Sequence, residues 1–80
     1  NPTTTVQYAL PADTKIELSI FNILGREVST LASGFITAGY YEAVWDASEF
    51  ASGLYLIRMN AYDSGNTLQF NKLQKIILVK

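Results

Sequence analysis

The sequence predicts an all-β domain, an antiparallel sandwich of six or seven short strands. Three observations lead there. Apolar side chains recur at every second position in several segments. Thr, Val, Ile, Tyr and Phe fill those segments, as pleated strands favour. Turn-forming residues punctuate the chain at intervals of about 8–12 residues, the spacing of a sandwich rather than of helices or crossover units.

The segments follow in order. Val6, Tyr8 and Leu10 alternate with Gln7 and Ala9 until Pro11-Ala12-Asp13 breaks the run. Ile16, Leu18 and Ile20 alternate with Lys15, Glu17 and Ser19, which reads as a half-buried strand. Asn22-Ile23-Leu24-Gly25 then reads as a hairpin connection, with Gly25 at positive φ where a Cβ would clash. Arg26 to Leu31 resumes an extended path, and Ala38-Gly39 punctuates again. Tyr41, Ala43 and Trp45 alternate with Tyr40, Glu42 and Val44. Asp46 to Ser52 forms a loop anchored by Phe50; a helix over Ala47–Ser52 would be too short to shape the fold. Gly53 opens the next strand, whose Tyr55, Ile57 and Met59 share one face. Asp63-Ser64-Gly65-Asn66 is the strongest turn signal. Thr67 to Phe70 and a closing run from Ile76 to Val79 complete the set. There is no internal repeat, low-complexity tract or linker, so residues 1–80 read as one domain.

Composition removes several function classes. With 80 residues the chain sits near the lower limit for an unstapled core. No cysteine is present to supply disulfides or thiolate ligands. The absence of histidine removes the usual general base and the commonest metal ligand. Six basic against seven acidic residues, with neither sign clustered, give no grip on a phosphate backbone, so nucleic acid is not an expected partner. No apolar run approaches the roughly 18 residues of a spanning helix. The polar opening Asn1-Pro2-Thr3-Thr4-Thr5 is not a signal peptide, so an exported domain would take its inner-membrane address from a longer parent.

Individual residues weigh the same way. Asp46 and Glu49 lack a third hard ligand at loop spacing for calcium, and Asp46 fits a turn role with help from Ser48. Trp45 could be a sugar-stacking platform, but its alternation with Tyr41 favours core packing, which leaves Tyr40 and Tyr62 as exposed aromatics. Gly25 and Gly53 are isolated glycines rather than a phosphate cradle. Arg58 could pair with Glu17 or Glu42, or contact a receptor. The closing Lys75-Ile76-Ile77-Leu78-Val79-Lys80 places an apolar run between lysines where a terminus is usually polar and frayed. On its own it reads as an edge strand whose lysines suppress edge-to-edge aggregation. It also suits strand addition to a receptor sheet, with Ile77 and Val79, or Ile76 and Leu78, filling pockets.

Several segments together resemble one family. They are Ile20-Phe21-Asn22-Ile23-Leu24-Gly25-Arg26-Glu27-Val28, Ala38-Gly39-Tyr40-Tyr41-Glu42-Ala43-Val44-Trp45-Asp46, Ala51-Ser52-Gly53-Leu54-Tyr55-Leu56-Ile57-Arg58 and the lysine-bracketed tail. Asn1-Pro2-Thr3-Thr4-Thr5-Val6 and Leu10-Pro11 fit the opening strand. The family is the type A C-terminal sorting domain of type IX secretion, related to the immunoglobulin-like domain of flagellar hook-capping proteins. The resemblance covers essentially the whole chain. It implies an immunoglobulin-like or fibronectin-type sandwich of about seven strands. It also implies a sorting signal of an exported bacterial protein, bound for the cell surface or the medium through periplasm and outer membrane. An outer-membrane translocon would recognise the folded domain, and a sortase would cut upstream and attach the cargo to surface lipopolysaccharide. The implied recognition residues are Gly53, Tyr55, Arg58, Lys75, Ile76, Ile77, Leu78, Val79 and Lys80; Asn22, Gly25, Gly39, Trp45 and Asp46 serve folding. The domain is expected to be monomeric, without a cofactor and not an enzyme. Relatives often carry two Asn-Pro copies, whereas only Asn1-Pro2 is here, which bears on the completeness of the first strand and puts any cleavage site outside this sequence. A carbohydrate-binding accessory module and a passive spacer are the competing readings.

Overall fold

Period-two patterning and Asx-type turns build two antiparallel sheets, as a computed structural model describes for residues 3–79. Asn1, Pro2 and Lys80, assigned above to the opening and closing strands, lie outside the described residues. Strands β1 (Thr3–Leu10) and β4 (Gly39–Asp46) form a two-stranded sheet, with Val6 opposite Ala43 and Tyr8 opposite Tyr41. Strands β2 (Thr14–Asn22), β3 (Glu27–Ile36), β5 (Gly53–Tyr62) and β6 (Leu68–Leu78) form a four-stranded sheet in the order β3-β2-β5-β6. No helix occurs among the described residues, and Ala47–Ser52 is a turn and bend.

The facing sides of the two sheets supply the core. Leu18, Ile20, Trp45, Tyr55, Ile57 and Leu78 form its main cluster, against which Val6, Tyr8 and Phe50 pack. Leu10, Ile16 and Ala61 extend it toward the other end. The alternation read in β2, β4 and β5 therefore sorts inward from outward side chains, as period two requires.

The two tight hairpins share one design. Asn22 Oδ1 accepts from the backbone N–H of Leu24 and of Arg26, each at 3.0 Å. Asp63 Oδ1 accepts from the N–H of Gly65 and of Thr67, each at 2.9 Å. In both, the residue three places on has positive φ: 81° at Gly25 and 63° at Asn66. The short polar side chain at the first position substitutes for a backbone acceptor and fixes the reversal. Asn22 and Gly25 both lie in the first of these turns. A third side-chain tie joins two crossings between the sheets, where Asp13 Oδ1 accepts from the Ala38 N–H at 2.8 Å.

The strand number needs correction: there are six among the described residues, not seven. Thr67 to Phe70 and Ile76 to Val79 were read as separate segments because polar residues intervene. The intervening residues instead pair along β5, with Asn71 opposite Asn60, Lys72 opposite Met59 and Gln74 opposite Ile57, so Leu68–Leu78 is one strand with a single register shift at Gln69. Lys72 and Gln74 lie on the inward-facing side of β6 yet stay exposed. They line a groove of about 780 Å³ beside β1, where the smaller sheet stops short of covering the larger one. Strand geometry survives there without apolar alternation because its inner face remains wet.

Candidate functional site

β6 is an edge strand, hydrogen-bonded to β5 along one side, and no described strand pairs with its other side. Its register sets Gly53 against Leu78, Leu54 against Ile77, Tyr55 against Ile76 and Leu56 against Lys75. The closing segment is thereby split between two faces. Leu78, 3% exposed, belongs to the core, and half-buried Ile76 packs against it. Lys75 and Ile77 point outward with Val79, and Ile77 is 73% exposed. Of the two pairs that could fill pockets in a receptor, Ile77 and Val79 are therefore the accessible one. Lys80 lies outside the described residues.

The β5 candidates divide likewise. Gly53 has φ of 153°, a backbone conformation that a Cβ disfavours, so the chain path alone accounts for glycine there. Tyr55 is 7% exposed, with its ring edge-on to Trp45 at 5.1 Å and its hydroxyl donating to the Ala51 carbonyl at 2.7 Å. Its side chain is a packing element, hidden from any partner of the folded domain. Arg58 faces outward, and its guanidinium lies 4.4 Å from the centre of the Phe21 ring. Neither acid considered for it is opposite. Glu17 accepts from the Tyr62 hydroxyl at 2.9 Å, and Glu42 accepts from Gln7 Nε2 at 3.2 Å. A cation over an aromatic face keeps its charge available to a partner.

The residues expected to serve folding are placed as follows. Trp45 is buried between Tyr55 and Phe50, which removes it as a sugar platform. Asp46 Oδ1 accepts from the Ser48 N–H at 3.0 Å. Gly39 opens β4 and stands opposite Leu10. Tyr40 is 93% exposed, whereas Tyr62 is half-buried and bonded to Glu17, so those two aromatics do not form a shared platform. On the groove wall, Tyr8 and Tyr41 stack with ring centres 5.5 Å apart. Burial, and secondarily the Tyr41 phenol, raise the Tyr8 phenol above its ordinary value of 10.0.

Four outward residues escaped the sequence reading: Phe21, Leu54, Leu56 and Leu73. Phe21, Leu54 and Leu56 lie at off-face positions of strands with a clear core face, and Leu73 lies between the two segments that join as β6. Among the described residues no three His, Cys, Asp or Glu side chains converge. What the site offers is an open strand edge, a part-apolar face and fixed cations, which is the chemistry of docking.

Comparison with known proteins agrees. A family described as the secretion system C-terminal sorting domain matches residues 1–78. No curated protein and no solved structure matches the chain. The match favours a sorting signal over a carbohydrate-binding module or a spacer, and such a signal is not a catalytic domain. The chain belongs to the type IX secretion C-terminal sorting domains, which mark proteins for the cell surface or release through the outer membrane and are recognised by the secretion machinery.

Proposed function

We propose that the translocon reads this domain at β6, by pairing with its open edge while Ile77 and Val79 enter pockets and Lys75 meets an acidic group. The carrying observation is that β6 is an edge strand whose Ile77 is 73% exposed while Leu78 anchors the same strand in the core. An anchored edge offers a row of backbone groups already in strand geometry, so a receptor strand binds with little ordering cost. Arg58 extends the recognition surface, and Lys80 belongs to the same signal in sequence. Gly53 and Tyr55 act indirectly, by holding β5 where β6 can pair with it. The sortase acts upstream of the domain after translocation. Residues 1–80 fold as a single monomeric unit.

The fold is proposed to be immunoglobulin-like. Support comes from two tyrosines, Tyr41 and Tyr55, whose hydroxyls donate to the backbone carbonyls of Thr37 and Ala51, four residues upstream. Such tyrosine corners recur in immunoglobulin sandwiches.

The test places residues 1–80 behind a periplasmic reporter in a bacterium with type IX secretion. Ile77→Asn with Val79→Asn leaves the Leu78 anchor in place and is expected to lower surface display about tenfold, equivalent to about 1.4 kcal/mol of recognition. Full display from a variant that melts like the parent domain would rule out reading through the outward side chains of β6.

A further inference from the structure

The outward face of the larger sheet is divided into two unlike halves. Toward one end, Asn71 Nδ2 donates to Asn60 Oδ1 at 2.6 Å, Asn60 Nδ2 donates to the Tyr62 hydroxyl at 3.3 Å, and that hydroxyl donates to Glu17 at 2.9 Å. This half satisfies its own polar groups. Toward the other end the register gathers Phe21, Leu54, Leu56, Leu73 and Ile77. Leu56 stands between Phe21 and Lys75, Leu54 stands opposite Ile77, and Arg58 stands opposite Leu73, which is 58% exposed. An antiparallel sheet face turned to water ordinarily carries mostly polar side chains, and this half carries mostly apolar ones.

Its cations lie within the patch and its acids at the border. Arg58 lies over Phe21, and Lys75 is exposed beside Leu56. By register the bordering acids are Glu17, diagonal to Arg58, whose Oε1 accepts from the Tyr62 hydroxyl at 2.9 Å, and Glu27, opposite Phe21, whose Oε2 accepts from the Thr30 hydroxyl at 2.9 Å. We infer that this half of the face, built from β2, β5 and β6, docks on a protein of the secretion machinery that presents apolar side chains bordered by carboxylates. The inference rests on the sorting reading and deepens it: Arg58, Lys75 and Ile77 are shared with the β6 surface, and Phe21, Leu54, Leu56 and Leu73 widen that contact across β5 to β2. Charge selects the occupant. A second copy laid face to face would set Arg58 and Lys75 against their own kind, whereas an acidic rim complements both. Because Phe21 comes from β2 and Ile77 from β6, the patch exists only when those strands are in register. The machinery therefore recognises a folded surface here, not a linear tail.

The test uses residues 1–80 behind the periplasmic reporter, with thermal melting to verify folding. Arg58→Glu with Lys75→Glu is expected to lower surface display at least tenfold, while Arg58→Lys keeps most of it. Should the reversed pair fold poorly, Arg58→Gln with Lys75→Gln serves instead, with a smaller loss expected. Undiminished display from a folded reversal or neutral pair overturns the docking face, yet leaves the sorting reading standing if the parent domain is displayed and the Ile77 and Val79 variant is not. Failure of the parent domain itself to reach the surface overturns both. Two further results overturn the inference: charge-dependent binding to vesicles of phosphatidylethanolamine and phosphatidylglycerol assigns the patch to lipid, and dimerisation abolished by Leu73→Ser assigns it to a second copy.

Discussion

β4 and β5 begin alike and end up in different company. Each opens on a glycine with φ near +150° (149° at Gly39, 153° at Gly53). Two residues later each carries a tyrosine whose hydroxyl donates to a carbonyl four residues back, at 2.6 Å for Tyr41 and 2.7 Å for Tyr55. Beyond the corner the two part. Tyr55 lies in the core beneath Trp45 and Phe50 and stands opposite Ile76 of β6. Tyr41 is half-buried against Tyr8 on the wall of the groove. The local path of the chain is set by the same Gly-x-Tyr pattern in both places. Its energetic weight is set by what covers the ring.

Truncating both rings is the strongest way to break that comparison. Tyr55→Ala empties a fully packed site and is expected to cost about 3–5 kcal/mol, enough to unfold much of so small a domain. Tyr41→Ala uncovers one wall of an open groove and is expected to cost roughly half as much, since less apolar area leaves contact. Urea denaturation of the two variants decides it. Equal losses would mean that the corner, not its surroundings, carries the energy. A gentler version removes only the hydroxyls. Tyr55→Phe orphans a part-buried carbonyl bond and is expected to cost about 1.5 kcal/mol, against about 0.5 kcal/mol for Tyr41→Phe. The Tyr55 change should also loosen β6, seen as faster amide exchange at Ile76 and Leu78.

Both corners were visible in the sequence as Gly39-Tyr40-Tyr41 and Gly53-Leu54-Tyr55, though the reading found no repeat. What it lacked was the hydroxyl bond, which joins residues too close in sequence to register as a tertiary contact. The alternating strands β1, β2, β4 and β5 were legible because a single face of each is wetted. β3 was legible only in its first half, as the extended path from Arg26 to Leu31, since its apolar residues Val28, Leu31, Ala32, Phe35 and Ile36 follow no period of two. The ladder explains why: its register shifts after Leu18 and again after Ile20, so Leu31 and Val28 are extra residues. Each such bulge re-aims a side chain, and both of these pack on the core. β6 was split in two for the opposite reason, having polar side chains on an inward-facing stretch that nothing covers. At the candidate site the edge strand was legible from its lysine-bracketed tail. The division of that tail into core and outward residues needed the pairing with β5. The Phe21–Arg58 contact needed the register of β2 on β5, and no local pattern announces it.

The smallest expected effect sharpens the contrast from the groove side. The Tyr8 phenol is raised above 10.0 mainly because burial disfavours the phenolate, and secondarily because Tyr41 lies beside it. The folded domain therefore keeps this proton at a pH where the unfolded chain has released it. Linkage fixes the sign: the contribution is fully present below pH about 10 and is lost as pH rises through the folded-state value. The informative quantity is a difference between variants, because every other group is common to both. Tyr8→Phe should change stability little near neutral pH, yet flatten the decline in urea midpoint above pH about 10. An unchanged slope would mean that the groove stays wet enough to solvate the phenolate. In that case the stacked Tyr8–Tyr41 pair would behave as surface rather than as the thin rim of a core, and the Tyr41 corner would owe its strength to the Thr37 bond alone.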